Sequence, residues 1–375
     1  MTLRVGILTY DFVPFIGGQG RVTHDLWRHL AMRGDLEVTV ISPARNDLPA
    51  HLSQFAATRR LGGHPLFSLL SSARIARRVR DLRLDVLHVN GGPGGVLLFR
   101  DTGVPVIYSL YHTYEQAARL AGRRPWTHAL LHAERSACNR AAIIAASTRS
   151  TARSLQRHLR VTPPVVEIPC GVDFNAFPRL DRERDPNLVL FVGRLEPRKN
   201  PQLLMRAFAK TLAARPHARL VIAGRGPLEA PLRALAAELR ISERVEFAGF
   251  VSNEALVEWY SRAAVVAVPS LFEGFGLSAA EAGSTGACVL ATDTEGLRDV
   301  VMHRETGLLA APDPEAMAEA LSELLGDRRL RATLGGAAAE RGRRVYQWDA
   351  VADQYVTAYR RAIAARAEAR LDPAA

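Results

Sequence analysis

Short runs of β-branched and aliphatic residues recur along the chain, and stretches with helical spacing of apolar residues separate them. Apolar runs bounded by glycine, proline or charged residues predict buried strands, whereas apolar residues three or four apart predict helices. The predicted strands are Arg4–Tyr10, Glu37–Ser42, Asp85–Asn90, Val104–Leu110, Ala142–Ser147, Val165–Ile168, Leu188–Gly193, Arg219–Ala223, Val245–Phe250, Ala264–Pro269, Cys288–Thr292 and Gly307–Ala310. The predicted helices include His24–Arg33, Pro201–Ala214, Pro227–Leu239 and Pro314–Gly326. This alternation predicts an α/β protein with parallel, doubly wound sheets.

The two halves of the chain open alike. Each has an apolar strand, a glycine-containing loop and a helix, in "ILTYDFVPFIGGQGRVTHDLWRHL" and in "LVLFVGRLEPRKNPQLLMRAF". The 375 residues also exceed the length of roughly 250–300 at which single cores divide. We therefore expect two Rossmann-like domains, with a boundary in the turn-rich and charged segment 168–187.

Composition changes this picture little. Charged residues make up 23% of the chain and hydrophobic residues 48%, as in ordinary globular proteins. No apolar run approaches the roughly 20 residues of a membrane span, no signal peptide is visible, and Cys138, Cys170 and Cys288 lack metal-ligand spacing. These features predict a cytoplasmic protein.

The net charge of +11 is carried almost entirely by arginine, because Lys199 and Lys210 are the only lysines. A basic chain can bind nucleic acid, anionic membrane or phosphorylated ligands. Since no aromatic and basic motif accompanies the charge, we expect no nucleic-acid binding.

The segment "LFEGFGLSAAEAGSTGA", residues 271–287, carries two carboxylates in an otherwise uncharged stretch, Glu273 and Glu281. It follows a predicted strand and opens a helix, which is where doubly wound sheets bind ligands and where free N–H groups attract phosphate. Carboxylates in such a place suit the neutral hydroxyls of a sugar and a ribose. The alternative for Glu281 is a capping box with Ser278, within "SAAE".

A second charged motif, "GRLEPRKNP" at 193–201, also directly follows a strand. Arg194 and Lys199 are expected to reach the same phosphates; the alternative is a solvated turn that caps the next helix. A lysine in a chain that otherwise uses arginine favours a function for Lys199, because its ammonium is compact.

Three further features lie near strand ends. "IGGQGRV" at 16–22 is a glycine loop that permits close approach to a ligand, and "AGRGP" at 223–227 is either a second such loop or a tight strand–helix connection. His112 ends the strand "VPVIYSLYH", in the ligand-binding place of such a sheet.

Several motifs together are specific for one family, and far less so for donor or acceptor. They are "GG" at 17–18, "GRLEPRKN" at 193–200, "GRGP" at 224–227, "GFVSNEALVEWYSRA" at 249–263, the Glu-x7-Glu of 273 to 281, "TGLLAAPDPEAMAEAL" at 306–321 and "WDAVADQYVTAY" at 348–359. On these motifs, nearly the whole chain resembles family 4 of the retaining glycosyltransferases. The resemblance implies the α/β GT-B fold, with two Rossmann-like doubly wound domains facing each other across a cleft.

The resemblance also implies a domain plan. Residues 1–172 would form the acceptor-side domain and residues 173–345 the nucleotide-sugar-binding domain. Residues 346–375 would form a helix that returns to the first domain.

By the same resemblance, Arg194 and Lys199 bind the donor diphosphate, Glu273 holds the sugar hydroxyls and Glu281 the ribose, while His112 contacts the sugar near the reacting carbon. The expected catalytic residues are His112, Arg194, Lys199 and Glu273. The expected donor-binding residues are Gly17, Gly18, Gly193, Arg194, Lys199, Val251, Glu273, Gly274, Phe275, Gly276, Leu277 and Glu281. Cys170 and Asp299 depart from the family pattern, outside this set.

The expected activity is transfer of a hexose-type sugar, with retention, from a nucleoside-diphosphate donor to a hydroxyl of a lipid, polysaccharide or small metabolite. The nucleotide sugar is a co-substrate, and no cofactor is expected. No metal is expected either, since the chain has no Asp-x-Asp and its cations can neutralise the leaving group. The alternatives are a nucleotide-sugar epimerase on the same fold or a non-catalytic nucleotide-sugar-binding subunit; Lys210 lies within a predicted helix, which argues against a pyridoxal-phosphate phosphorylase.

Peripheral contact with the inner face of an anionic membrane stays open. Ile75, Val79 and Leu82 share one face of a predicted helix, and arginines 74, 77 and 78 lie opposite. That pattern suits an interfacial helix, or equally a helix that packs its apolar stripe on the sheet. A second row of arginines, 149, 153, 157 and 160, follows at helical spacing.

Overall fold

The computed structural model describes residues 2–12, 18–43, 53–55, 63–93, 95–122, 125, 127–180 and 182–371. The chain divides into two compact units. The first comprises residues 1–171 and 348–375, and the second comprises residues 172–347. Each unit is an α/β sandwich around a parallel sheet.

The sheet of the first unit has seven strands within the described residues, in the order β3-β2-β1-β4-β5-β6-β7. All of its pairings are parallel. The order reverses between β1 and β4, so that loops after these neighbouring strands diverge. The strands are β1 Leu3–Leu8, β2 Leu36–Pro43, β3 Ser53–Phe55, β4 Val86–Asn90, β5 Val106–Leu110, β6 Ile143–Ala146 and β7 Val165–Glu167.

The helices that cover this sheet are α1 Gly18–Ala31, α2 Gly63–Asp81, α3 Tyr114–Ala121, α4 Thr127–Cys138, α5 Arg149–Ser154 and, from the end of the chain, α13 Trp348–Leu371. A π-helical turn, Leu155–Leu159, continues α5. Helix α1 begins six residues before the predicted His24, because "GQG" at 18–20 is helical rather than a loop. Gly20 is required there by packing, since a Cβ would lie 2.5 Å from the Asp11 carboxylate carbon.

The amphipathic pattern on α2 reflects packing on the sheet. Ile75 and Val79 are buried in the core of the first unit, and Leu82 packs against that core. Arg74 and Arg77 are exposed. The interfacial interpretation of this helix is therefore wrong as regards its apolar face, which the sheet already covers.

The sheet of the second unit has six parallel strands in the described chain, in the order β10-β9-β8-β11-β12-β13. The order reverses between β8 and β11. The strands are β8 Asp185–Val192, β9 Arg219–Ala223, β10 Val245–Gly249, β11 Ala263–Val268, β12 Cys288–Thr292 and β13 Leu308–Ala310.

The helices of the second unit are α6 Pro201–Thr211, α7 Glu229–Glu238, α8 Asn253–Arg262, α9 Leu277–Ser284, α10 Leu297–Val300, α11 Pro314–Gly326 and α12 Arg328–Tyr346, with 3-10 turns at Pro197–Lys199 and Ser242–Arg244. Strands β8 and β11 are buried on both faces of the sheet. Helices α6, α7 and α11 pack on one of these two faces. Near-continuous apolar strands of this kind are typical of a parallel sheet covered on both sides. Among the helices that could be searched, none combines the length and the hydropathy of a membrane span.

Candidate functional site

The site residues predicted for the second unit follow the carboxyl ends of β8, β11 and β10, at one edge of its sheet. Gly193, Arg194 and Lys199 follow β8, Glu273 follows β11, and Val251 follows β10. Because all strands are parallel, their carboxyl ends share this edge. The point of reversal between β8 and β11 is the crevice in which open α/β sheets bind ligands. Lys199 and Glu273, one from each charged motif, lie within hydrogen-bond distance of each other here.

Glu273 receives hydrogen bonds on both carboxylate oxygens. Lys199 Nζ and Ser270 Oγ each donate to Oε1 over 2.6 Å. Arg198 Nη1 donates to Oε2 over 2.8 Å. Glu273 is only 5% exposed, so these contacts form a buried ion-pair cluster.

The cluster keeps Glu273 ionised. Burial alone would raise the pKa of this carboxyl, but the charges of Lys199 and Arg198 outweigh burial and lower the pKa to about 2. The structure thus pairs two groups that the sequence assigned to different parts of the donor, the sugar and the diphosphate.

Arg198 is a member of the site that the sequence analysis missed. It has further partners on the loop after β11, where Nη1 donates to the Phe272 carbonyl over 3.1 Å, and on its own loop, where Nη2 donates to Glu196 over 3.2 Å. Arg194 lies at the outer side of the cluster: its guanidinium is 3.4 Å from Glu196, and its side chain is 67% exposed. The loop after β8 therefore presents three cations, of which Arg194 is the most open to solvent.

Two glycines fix the loops by close backbone approach. Gly296 has φ of +83°, and a Cβ there would lie 2.0 Å from the Glu273 carbonyl oxygen. Gly224, in "AGRGP", has φ of +152°, and its Cβ would lie 1.9 Å from the Gly193 carbonyl oxygen. The second contact supports the interpretation of "AGRGP" as a tight connection that packs on the Arg194 loop.

The capping box proposed for Glu281 is not formed. Helix α9 begins at Leu277, and its N-cap residue Gly276 has φ of +94° and no side-chain cap. Ser278 therefore lies inside the first turn, and its Oγ is buried without a hydrogen-bond partner in the described structure. The Glu281 side chain is instead 6% exposed and accepts a hydrogen bond from the Tyr260 hydroxyl over 3.4 Å.

The N-terminus of α9 directly follows the segment Gly274–Gly276, next to the Glu273 cluster in sequence. A helix N-terminus offers backbone N–H groups to an anion. Phe275 is buried, with its ring packed edge-on against Tyr346. That packing anchors the loop between Glu273 and the helix.

The remaining predicted residues belong to the first unit. Gly18 opens α1, after β1 at the point of strand reversal. His112 lies two residues beyond β5 and is half-buried, immediately before Thr113, which caps α3. Gly17 lies outside the described residues.

The two residues that depart from the family pattern are Cys170 and Asp299. Cys170 is buried, and burial raises the pKa of its thiol. Asp299 lies in α10, and its carbonyl accepts a hydrogen bond from Tyr346 over 3.5 Å. Among the residues that the structure describes, no group of three His, Cys, Asp or Glu side chains is arranged to hold a metal ion.

Two family profiles match the chain. The profile described as "Glycosyltransferase Family 4" matches residues 16–176, and "Glycosyl transferases group 1" matches residues 173–341. The chain is 35% identical to a D-inositol 3-phosphate glycosyltransferase of Nocardioides sp., over 76% of this chain and 68% of the relative. It is 33% identical to the Acidothermus cellulolyticus protein of the same name, over 93% of this chain and 87% of the relative.

Solved structures agree with this on the fold. Sucrose-phosphate synthase from Thermosynechococcus elongatus matches with a TM-score of 0.79 at 23% identity, over 97% of this chain and all of that one. Anabaena HepE in complex with UDP-glucose matches with a TM-score of 0.72 at 17% identity, over 95% and 99%. The fold and the relatives define a glycosyltransferase with the GT-B fold. The chain belongs to glycosyltransferase family 4.

Proposed function

We propose that this enzyme transfers a hexose-type sugar from a nucleoside-diphosphate donor to an acceptor hydroxyl, with retention at the anomeric carbon and without a metal ion. The observation that carries the proposal is the cluster that Arg194, Arg198 and Lys199 form with Glu196 and Glu273 at the strand reversal. HepE, a structural neighbour, is complexed with UDP-glucose, which supports a nucleotide sugar as the co-substrate.

The charges of the cluster suit a diphosphate leaving group. Three cations meet Glu196 and Glu273, which leaves one positive charge in excess. In a glycosyl transfer, negative charge develops on the leaving phosphate as the transition state becomes oxocarbenium-like. Preorganised positive charge at that position is usually the largest catalytic contribution, and we assign it to Arg194, Lys199 and the N-terminus of α9.

The hydrogen bonds and the low pKa of Glu273 bear on how the anomeric configuration is retained. A retaining mechanism through a covalent intermediate needs a carboxylate free to attack the sugar. Both oxygens of Glu273 are held by cations or by Ser270, and a pKa of about 2 makes it a weak nucleophile. A carboxylate held in this way can still accept hydrogen bonds from sugar hydroxyls. We therefore assign it a binding role and favour front-side attack, with the leaving phosphate taking the acceptor's proton.

Metal independence follows from the same charges. Arg194 and Lys199 would supply the positive charge that a divalent ion brings in other transferases, and an additional cation beside them would be repelled. Asp293 and Glu295 lie two residues apart in the loop after β12, and Asp293 is already paired with Arg298.

The test is a panel of nucleotide sugars with the purified protein. Thermal shift identifies the donor, and NMR of the product gives its anomeric configuration. We expect slow donor hydrolysis without acceptor, retention in the product, and full activity in excess EDTA. Inversion would overturn the stereochemical assignment, and activity silenced by EDTA and restored by Mg²⁺ or Mn²⁺ would overturn metal independence.

The same panel addresses the other candidates. An epimerase would form an epimeric nucleotide sugar without an acceptor, and a non-catalytic subunit would bind the donor without consuming it. The relatives, which are named as glycosyltransferases, do not favour either.

The acceptor is proposed to be anionic. The relatives act, by name, on D-inositol 3-phosphate, and the chain carries a net charge of +11. Inositol 3-phosphate should therefore be a better acceptor than inositol. Turnover that is equal with both would contradict a role for the phosphate.

We propose that contact with anionic lipid is made by exposed arginines and not by an apolar helix face. Arg149, Arg153, Arg157 and Arg160 are all exposed on α5 and the turn after it. Vesicles with anionic lipid should retain the protein at low salt and release it as salt screens the charges. Equal binding to neutral vesicles would contradict this.

A further inference from the structure

Arg198 joins the two loops that form the point of strand reversal. Its guanidinium bonds to the Glu273 carboxylate and the Phe272 carbonyl on the loop after β11, and to Glu196 on the loop after β8. The Leu271 N–H donates to the Arg198 carbonyl over 2.9 Å. Both the side chain and the backbone of Arg198 therefore connect the loops.

Lys199 is held far less. In the described structure its ammonium has one hydrogen-bond acceptor, Glu273 Oε1 at 2.6 Å. An ammonium carries three protons, so two remain for another acceptor. Lys199 is thus the member of the cluster that is placed to contact an incoming anion.

Because two cations bind the Glu273 carboxylate, the free-energy cost of drawing Lys199 towards an anion is reduced. A buried carboxylate deprived of its partner is strongly destabilised. If Lys199 were the only partner of Glu273, drawing it towards a phosphate would leave that buried charge uncompensated. With Arg198 and Ser270 bound as well, Glu273 stays compensated.

We propose that Arg198 is a positioning residue that secures Glu273 so that Lys199 can be shared with the donor's diphosphate. The inference rests on the proposed function, because it takes the anion to be that diphosphate. It assigns Arg198 no contact with the donor. Arg198 acts through the Glu273 charge.

This mechanism predicts coupling between Arg198 and the Glu273 charge. Arg198→Met should leave Lys199 as the only cation on Glu273 and should weaken nucleoside-diphosphate binding by about tenfold or more. Glu273→Gln should release Lys199 and strengthen binding of the diphosphate, although turnover falls. In Arg198→Met/Glu273→Gln no carboxylate charge is left to compensate, so affinity should stay within about threefold of Glu273→Gln alone.

The experiment is a double-mutant cycle by calorimetry. The probe is whichever of UDP, GDP and ADP binds the wild type most tightly. Arg206→Met, an exposed arginine on α6, controls for the loss of one positive charge and should leave affinity unchanged. Melting temperatures establish that each variant is folded. Arg198→Lys keeps the positive charge but not the several N–H donors of the guanidinium, so it should show an intermediate affinity. It replaces Arg198→Met if that variant does not fold.

The outcomes separate the two proposals. Equal losses from Arg198→Met in both backgrounds would overturn the inference, because a merely structural or general electrostatic role is additive. An unchanged affinity in Arg198→Met would also overturn it. If no nucleoside diphosphate bound the wild type, the proposed function itself would fail.

Discussion

His88 Nδ1 lies 2.7 Å from the Tyr359 hydroxyl, although 271 residues separate them in the chain. His88 is on β4 and Tyr359 on the C-terminal helix α13, and both are fully buried. The other ring nitrogen of His88 lies 2.7 Å from Ser109 Oγ on β5, and Tyr355 stacks on the imidazole with 4.9 Å between ring centroids. Burial lowers the pKa of His88 to about 3, so a neutral imidazole links the last helix to the first sheet.

Loss of the Tyr359 hydroxyl should destabilise the first unit. Tyr359→Phe leaves a buried ring nitrogen of His88 without its partner, at a cost of about 1–3 kcal/mol. Tyr355→Phe is the matched control. It removes the 3.2 Å contact between the Tyr355 hydroxyl and Ser109 Oγ, but Ser109 keeps its hydrogen bond to His88. Thermal unfolding should show a larger drop in Tm for Tyr359→Phe. An equal or smaller drop would mean that the network does not hold the helix.

The two lysines allow a controlled test of the diphosphate assignment. Lys199→Ala and Arg194→Ala should each lower turnover by about two orders of magnitude, the usual effect of removing one group that stabilises transition-state charge. Lys210→Ala should leave it unchanged, since Lys210 lies on the surface of α6 in an exposed ion pair with Glu315 at 2.8 Å. Steady-state kinetics with the full donor is the measurement. Near-normal turnover in either site variant would remove that residue from the catalytic set.

Glu281 and Ser278 separate ligand binding from helix capping. Glu281→Ala should weaken nucleoside-diphosphate affinity, whereas Ser278→Ala should leave both affinity and Tm nearly unchanged, because Ser278 Oγ makes no hydrogen bond in the described structure. Glu281→Gln retains the shape and tests the charge. Calorimetry and thermal melts are needed side by side. A loss of stability in Ser278→Ala, or unchanged affinity in a destabilised Glu281→Ala, would restore the capping interpretation.

Much of the fold could be predicted because it is a local property of the sequence. The strands Arg219–Ala223 and Cys288–Thr292 and the helix Pro314–Gly326 match the structure residue for residue. Strand β3 was missed, since three residues are too few to show a period. The start of α1 was placed late because Gly18 and Gly20 read as a loop, whereas Gly20 is a helical residue that gives room to Asp11.

The site was predictable only in part. Lys199 and Glu273 each stood out by residue type and by position after a strand. Their ion pair, and the part played by Arg198, join residues 74 and 75 positions apart, and the order of the strands alone decides that these loops meet. The His88 network was missed for the same reason, because nothing in the sequence near His88 indicates Tyr359.

A buried carboxylate outside the site should make the first unit sensitive to pH. Glu134, on α4, is fully buried; one oxygen accepts from the Tyr114 N–H over 2.9 Å, and the other has no partner in the described part of the chain. Burial raises the pKa of Glu134 to about 8, although the Tyr114 N–H opposes this and nearby Glu115 adds to it. Burial also raises the pKa values of Tyr108 and Cys138, and the nearby charge of Glu134 raises them further. Glu134 therefore titrates near neutrality, whereas Tyr108 and Cys138 lose their protons only at higher pH.

The sign of the effect follows from proton linkage. Between the ordinary glutamate pKa of 4.5 and about 8, the folded state holds a proton that the unfolded state has lost, so rising pH costs stability by up to about 1.4 kcal/mol per pH unit. Glu134→Gln keeps an acceptor for the Tyr114 N–H and cannot ionise. The Tm of Glu134→Gln relative to wild type should therefore rise from pH 5.5 to pH 8 by several degrees and then level off, while Glu368→Gln, an exposed glutamate of the same unit, shows no such trend. A constant difference in Tm across this range would show that Glu134 keeps the same ionisation state when the protein folds.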